Sequence, residues 1–174
     1  MREKLIKYEA ITDRIEYEIA DYLNEVYKGE ISSSSAVRIN GMYKIIGELE
    51  SIGDSGDAIG RILVRRNEHG LSFDEQQLKR LGRMCDLLDD AFKAMTNNLK
   101  APYTSLKDIT NAQDAEYNIN ECRNTLREEH IINIEENSSY NYQVGVFYMD
   151  IVAELEKMGD FMINVSEAKI AENG

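Results

Sequence analysis

The chain has 174 residues, enough for one domain or two small ones, and a formal net charge of −12 from 32 acidic and 20 basic side chains. That balance argues against nucleic acid as a partner, because a phosphate backbone calls for a basic surface. Ten tyrosines, no tryptophan and a single proline, Pro102, point to long helices.

No run approaches the roughly 20 apolar residues of a membrane span, and the opening MREKLIKYEA has no signal-peptide core. The chain therefore reads as soluble and intracellular, which leaves room for its being cut from a larger membrane protein. Cys85 and Cys122 lie far apart without CxxC spacing, and read as buried thiols in a reducing compartment.

The punctuation divides the chain into five helices. Ile11, Ile15, Ile19, Tyr22, Leu23 and Val26 follow helical spacing, and Gly29 stops that run. EISSSS is a short polar link whose last serine can cap a second helix. That helix is expected over about 35–67, through Val37, Ile45, Ile46, Leu49, Ile52, Ile59 and Ile62. LSFDEQQL offers Ser72 as N-cap with Glu75 three residues on, a capping box. The third helix then runs through Leu78, Leu81, Cys85, Leu88 and Phe92 to about Asn98. Pro102 fits the first turn of a fourth helix over about 103–134, and a fifth is expected from about Tyr140 to Ala171. No segment alternates as a strand does, so the fold class is all-α.

An offset of 106 residues lays the second helix on the fifth. LESIGD, with Glu50 and Asp54, meets LEKMGD, with Glu156 and Asp160, in the same apolar frame. The helices preceding these carry similar pairs, Glu9 with Asp13 and Glu116 with Asn120. A long-period repeat of this kind implies duplicated supersecondary units. The division is 1–70 for a first, two-helix unit and 71–174 for a second, three-helix unit. A two-helix unit leaves an apolar stripe uncovered, so the first helix of the first repeat is read as missing and the chain as an excised fragment.

Acid pairs four apart share a helix face and repel by roughly 0.2–0.5 kcal/mol each. One such pair is ordinary solvated surface, but four carboxylates from two adjacent helices can aim their oxygens at shared cations. Glu9, Asp13, Glu50 and Asp54 form one candidate metal set, and Glu116, Glu156 and Asp160 the other. Hard oxygen donors suit Mg²⁺, Ca²⁺, Mn²⁺ or iron. The first set, with four carboxylates, is expected to bind the tighter, since Asn120 contributes only a neutral amide.

Met84, Met149, Met158 and Met162 read as packing, and Tyr8, Tyr17, Tyr43, Tyr140, Tyr142 and Tyr148 as mostly half-buried helix residues. His130 reads as a satisfied structural histidine. No Ser/His/Asp order, glycine-rich phosphate loop or His-x-x-x-His pair is present, so no catalytic machinery is visible. A carboxylate-bridged metalloenzyme of bundle type remains an alternative, although such sites use Glu-x-x-His pairs and REEHI does not supply one. A plain helical scaffold is the third reading.

LESIGD and LEKMGD resemble the Glu-Arg-Ile-Gly-Asp signature of PhoU proteins. YEAITDRIEYEIADYLNEV and NINECRNTLREEHIINIEE are similar to the PhoU-like cytoplasmic domain of bacterial sodium/phosphate cotransporter homologues. The likeness covers nearly the whole chain, less the first family helix. Ser51 and Lys157 stand where the signature has arginine, and Asn120 where it has aspartate. The resemblance implies an antiparallel bundle of tandem three-helix repeats whose E(D)xxxD motifs bind iron, zinc or manganese. It further implies a non-enzymatic regulatory or accessory role in phosphate uptake, at the cytoplasmic side of the inner membrane. Its expected partners are the transmembrane part of its own cotransporter or another phosphate-transport component, and a homo-oligomer is compatible with it.

Overall fold

A computed structural model describes residues 2–102, 105–138 and 140–171. It contains five helices: α1 (Arg2–Tyr27), α2 (Ser33–Glu68), α3 (Glu75–Lys100), α4 (Thr110–Glu136) and α5 (Tyr142–Ala171). No strand occurs among the described residues, and the fold is an all-α bundle.

The helix ends depart from expectation in three places, each with a local cause. Ser32 rather than the last serine caps α2, its hydroxyl accepting from the Ser35 N–H at 3.1 Å. Asp74, not Ser72, caps α3. Its carboxylate accepts from Gln77 N–H at 2.7 Å while the Gln77 side chain accepts from Asp74 N–H at 3.1 Å, so the capping box lies two residues later. That shift leaves Phe73 outside the helix, buried in the core with the Arg66 guanidinium 4.5 Å over its ring. Pro102 ends α3 instead of opening α4. Ala101 before it is extended (ψ 136°), as a residue preceding proline prefers, and α4 starts only at Thr110. At the end of α2, Gly70 takes φ 66° and lets Leu71 N–H reach back to the Arg66 carbonyl at 3.1 Å, a turn that glycine adopts without a Cβ clash.

The two longest helices, α2 and α5, lie antiparallel at the centre. Asn164 donates to Glu48 at 3.1 Å toward one end, and the His69 and Phe147 rings stand 5.9 Å apart at the other. One continuous core links both units, from Ile45 and Ile62 of α2 to Met84, Leu88, Ile119, Val152 and Val165. Against α5 pack α3 and α4, which also pack on each other; among the described helices α1 packs on α2 alone. A buried polar knot fastens the second unit, where Asn98 donates to Ser166 and Asn111, both at 3.1 Å.

The inward face of α3 is only partly the expected one. Leu88 is buried and Leu81 packs on the core, but Leu78, Cys85 and Phe92 are exposed, and Met84, Ala91 and Met95 are buried in their place, because α3 packs against both α4 and α5. Cys122 is buried as expected and Cys85 is not; both are free thiols. Met84 and Met162 are core, with Met149 and Met158 packed at its edge. The tyrosines divide more sharply than expected: Tyr8, Tyr17 and Tyr142 are exposed, Tyr43 and Tyr140 half-buried, and Tyr148 is 3 % exposed. Burial lifts the Tyr148 hydroxyl pKa to about 12.

Candidate metal centre

Helices α1 and α2 run antiparallel, Leu23 packing near Ile39 and Ile46 at one end and Leu5 lying against Gly60 toward the other. Between these contacts the helices touch through Gly53. A Cβ there would stand 2.6 Å from the Thr12 hydroxyl, so glycine gives this side chain room in its present rotamer. Thr12 is held by its own bond to the Glu9 carbonyl at 2.8 Å. Glu9 and Asp13 flank Thr12, and Asp54 follows Gly53, so the close contact drives these carboxylates together. One oxygen from each of Glu9, Asp13 and Asp54 lies within 4.8 Å of the others, and the nearby Arg61 guanidinium pairs with Asp57.

Crowding shows at Glu9. Glu9 is held above the usual carboxylate range, first by Asp13, then by burial, Asp57 and Asp54, with Arg61 opposing. Arg61 itself pairs with Asp57 one turn away. Glu50, the fourth expected ligand, lies outside the triad but beside it. Burial raises its pKa first, followed by Asp54, Glu16 and Asp13. Glu16 belongs to neither acid pair of the sequence motif, and it adds a further negative charge to this face.

The second set is built on the same plan. Gly159 admits Ile119 of α4, whose Cδ1 would lie 2.8 Å from an added Cβ. Yet among the described residues Glu116, Glu156 and Asp160 form no comparable triad. Arg123 stands between the helices instead, its guanidinium pairing with Glu156 at 3.3 Å and donating to Asn120 at 3.3 Å, while Asn120 donates to Glu116. Burial raises the Glu156 and Asp160 pKa values, and Arg123 pulls both back. Arg123 thus compensates part of the charge of this set from within.

One register separates the two sets. An offset of 107 lays α1 on α4, so that Thr12 meets Ile119 and Glu16 meets Arg123. The signal that distinguishes the sites is therefore present in the sequence as a charge reversal one turn beyond the acid pair. His130 is satisfied as expected, its Nδ1 2.9 Å from the Tyr140 hydroxyl, and burial lowers its pKa. No family model, curated protein or solved structure matches the chain.

Proposed function

We propose that the chain is a non-enzymatic, PhoU-like regulatory or accessory domain of a sodium-dependent phosphate transporter, and that Glu9, Asp13 and Asp54 hold a metal ion joining α1 to α2. The observation behind the metal assignment is the convergence of one oxygen from each of three carboxylates within 4.8 Å. An ion there would convert mutual repulsion into attraction, and Glu50 stands close enough to tune its charge. The donor set is all oxygen, without histidine or cysteine, so manganese or iron suits it better than zinc. The role as an accessory of phosphate transport rests on the repeated signature, LESIGD and LEKMGD, set in paired helices. No helix among the described residues is long and apolar enough to cross a membrane.

Titration calorimetry of Mn²⁺ into the wild-type chain and into Asp54→Asn and Asp160→Asn variants tests the site. Binding should be lost in Asp54→Asn and kept in Asp160→Asn. Ligand at about 100 times its Kd should stabilise the wild type by about 2.7 kcal/mol. No binding to the wild type would leave the plain scaffold as the better reading. For the transport role, Asp54→Asn should alter how phosphate uptake responds to external phosphate, and an unchanged response counts against it.

A further inference from the structure

Helix α1 carries a second apolar stripe that its packing on α2 leaves open. Tyr8, Ile11, Ile15, Ile19, Tyr22 and Val26 are each between 37 and 69 % exposed. Their spacing of three or four residues averages the period of a straight α-helix, so they form one line roughly 27 Å long. The residues that face α2, among them Leu5, Thr12 and Leu23, lie on an adjoining side. Contiguous apolar surface of this kind marks an interaction site.

The internal repeat says what sort of object covers it. At the offset of 107, Ile15, Ile19 and Tyr8 correspond to Cys122, Leu126 and Ala115 of α4. In the second unit Cys122 and Leu126 are buried and Ala115 is packed against the core, where α3 lies along α4. The same face in α1 has no such helix, since among the described helices α1 packs on α2 alone.

The charges flanking the stripe choose the occupant. Lys4, Lys7 and Arg14 lie beside its first half, Glu18, Asp21 and Glu25 beside its second. We propose that the stripe pairs with the same stripe of a second copy, antiparallel and about a two-fold axis near the middle of α1. In that register Ile15 faces the second copy's Ile19, Ile11 its Tyr22 and Tyr8 its Val26. Lys7 then falls beside Glu25 of the other copy, and Arg14 beside Glu18. The Arg14–Glu18 pair present within one helix, at 3.3 Å and well exposed, is easily exchanged for its counterpart. A parallel pairing would instead set like charge on like charge. The interface is isologous, so each complementary contact occurs twice. Burying the apolar seam drives association, and the flanking charges fix orientation more than affinity.

Sedimentation equilibrium on the 174-residue chain should show a reversible dimer. Ile15→Lys should weaken it by ~30-fold or more, with far-UV circular dichroism unchanged because Ile15 is exposed in the single chain. Lys7→Glu and Glu25→Lys should each weaken the dimer a few-fold, and the two together in one chain should restore it. A wild-type monomer at all accessible concentrations overturns the proposal, including the case where another polypeptide takes the stripe. So does a dimer indifferent to Ile15→Lys, or charge reversals that fail to restore each other.

Discussion

Thr12 against Gly53 and Ile119 against Gly159 occupy equivalent places in the α1–α2 and α4–α5 hairpins, yet they hold them differently. Ile119 is 1 % exposed, fixed among Gly159 and the core residues of three helices. Thr12 is only half-buried and spends its hydroxyl on the Glu9 carbonyl, with solvent and carboxylates around it. The charges match the packing. Where apolar contact fastens the helices, Arg123 pairs directly with one of the carboxylates; where it is thin, Glu16 takes that position, and Arg61, which pairs with Asp57, offsets the crowding only from a distance. A duplicated motif thus carries an internal arginine in one copy and a converging carboxylate triad in the other.

The largest expected effect separates the two contacts directly. Ile119→Ala should cost ~2–5 kcal/mol, the range for emptying a buried aliphatic site. Thr12→Ala should cost about 1 kcal/mol or less, since it removes a local hydroxyl bond and little buried surface. Urea midpoints with unchanged slopes would measure both. Equal costs would mean that the two hairpins are packed alike after all.

The glycines sharpen the same contrast at smaller scale. Gly159→Ala puts its Cβ 2.8 Å from Ile119 Cδ1 and 3.3 Å from its Cγ2, in a core without slack. It should destabilise by ~1–3 kcal/mol. At Gly53 the obstacle is a half-exposed threonine side chain, which can turn away. The helix-propensity gain of about 1 kcal/mol should nearly cancel the strain. Thermal unfolding of the two variants side by side decides this, and the opposite ranking would break the comparison.

Exchanging the charges should exchange the chemistry. Arg123→Gln leaves Glu156 without its partner and should cost about 1 kcal/mol, as both side chains are half-shielded. It should also create weak Mn²⁺ binding where there was none. Glu16→Arg should abolish binding at the first set while stabilising the metal-free protein slightly. Calorimetric titration of both variants reads these outcomes.

The smallest effect is the pH dependence. Glu50 is held above 4.5, first by burial and then by Asp54, so the folded chain keeps a proton that the unfolded chain has released. Its contribution to stability is complete below 4.5 and lost as pH rises through the folded value. Glu50→Gln should therefore flatten the fall in the urea midpoint of the metal-free protein as pH rises above 4.5, compared with wild type. Manganese should reverse the sign, because binding requires deprotonated oxygens and strengthens over the same window.

Much of this molecule is legible in the linear chain. Helical spacing of Ile11, Ile15 and Ile19, the paired LESIGD and LEKMGD segments, and glycines at matching positions are local or periodic features. Period and repetition survive without coordinates, so they locate five helices and the acid pairs. The Asp74 cap, the inward face of α3 and the end of α3 at Pro102 depend on competition between neighbouring signals, which burial of Phe73 and packing against two helices resolve. Only tertiary structure decided which carboxylates meet. Helix register across α1 and α2, set by a glycine that admits Thr12, brings Glu9, Asp13 and Asp54 within one ion's reach. The same closeness in α4 and α5 delivers Arg123 instead, because a side chain one turn away in sequence becomes a neighbour only when the helices touch.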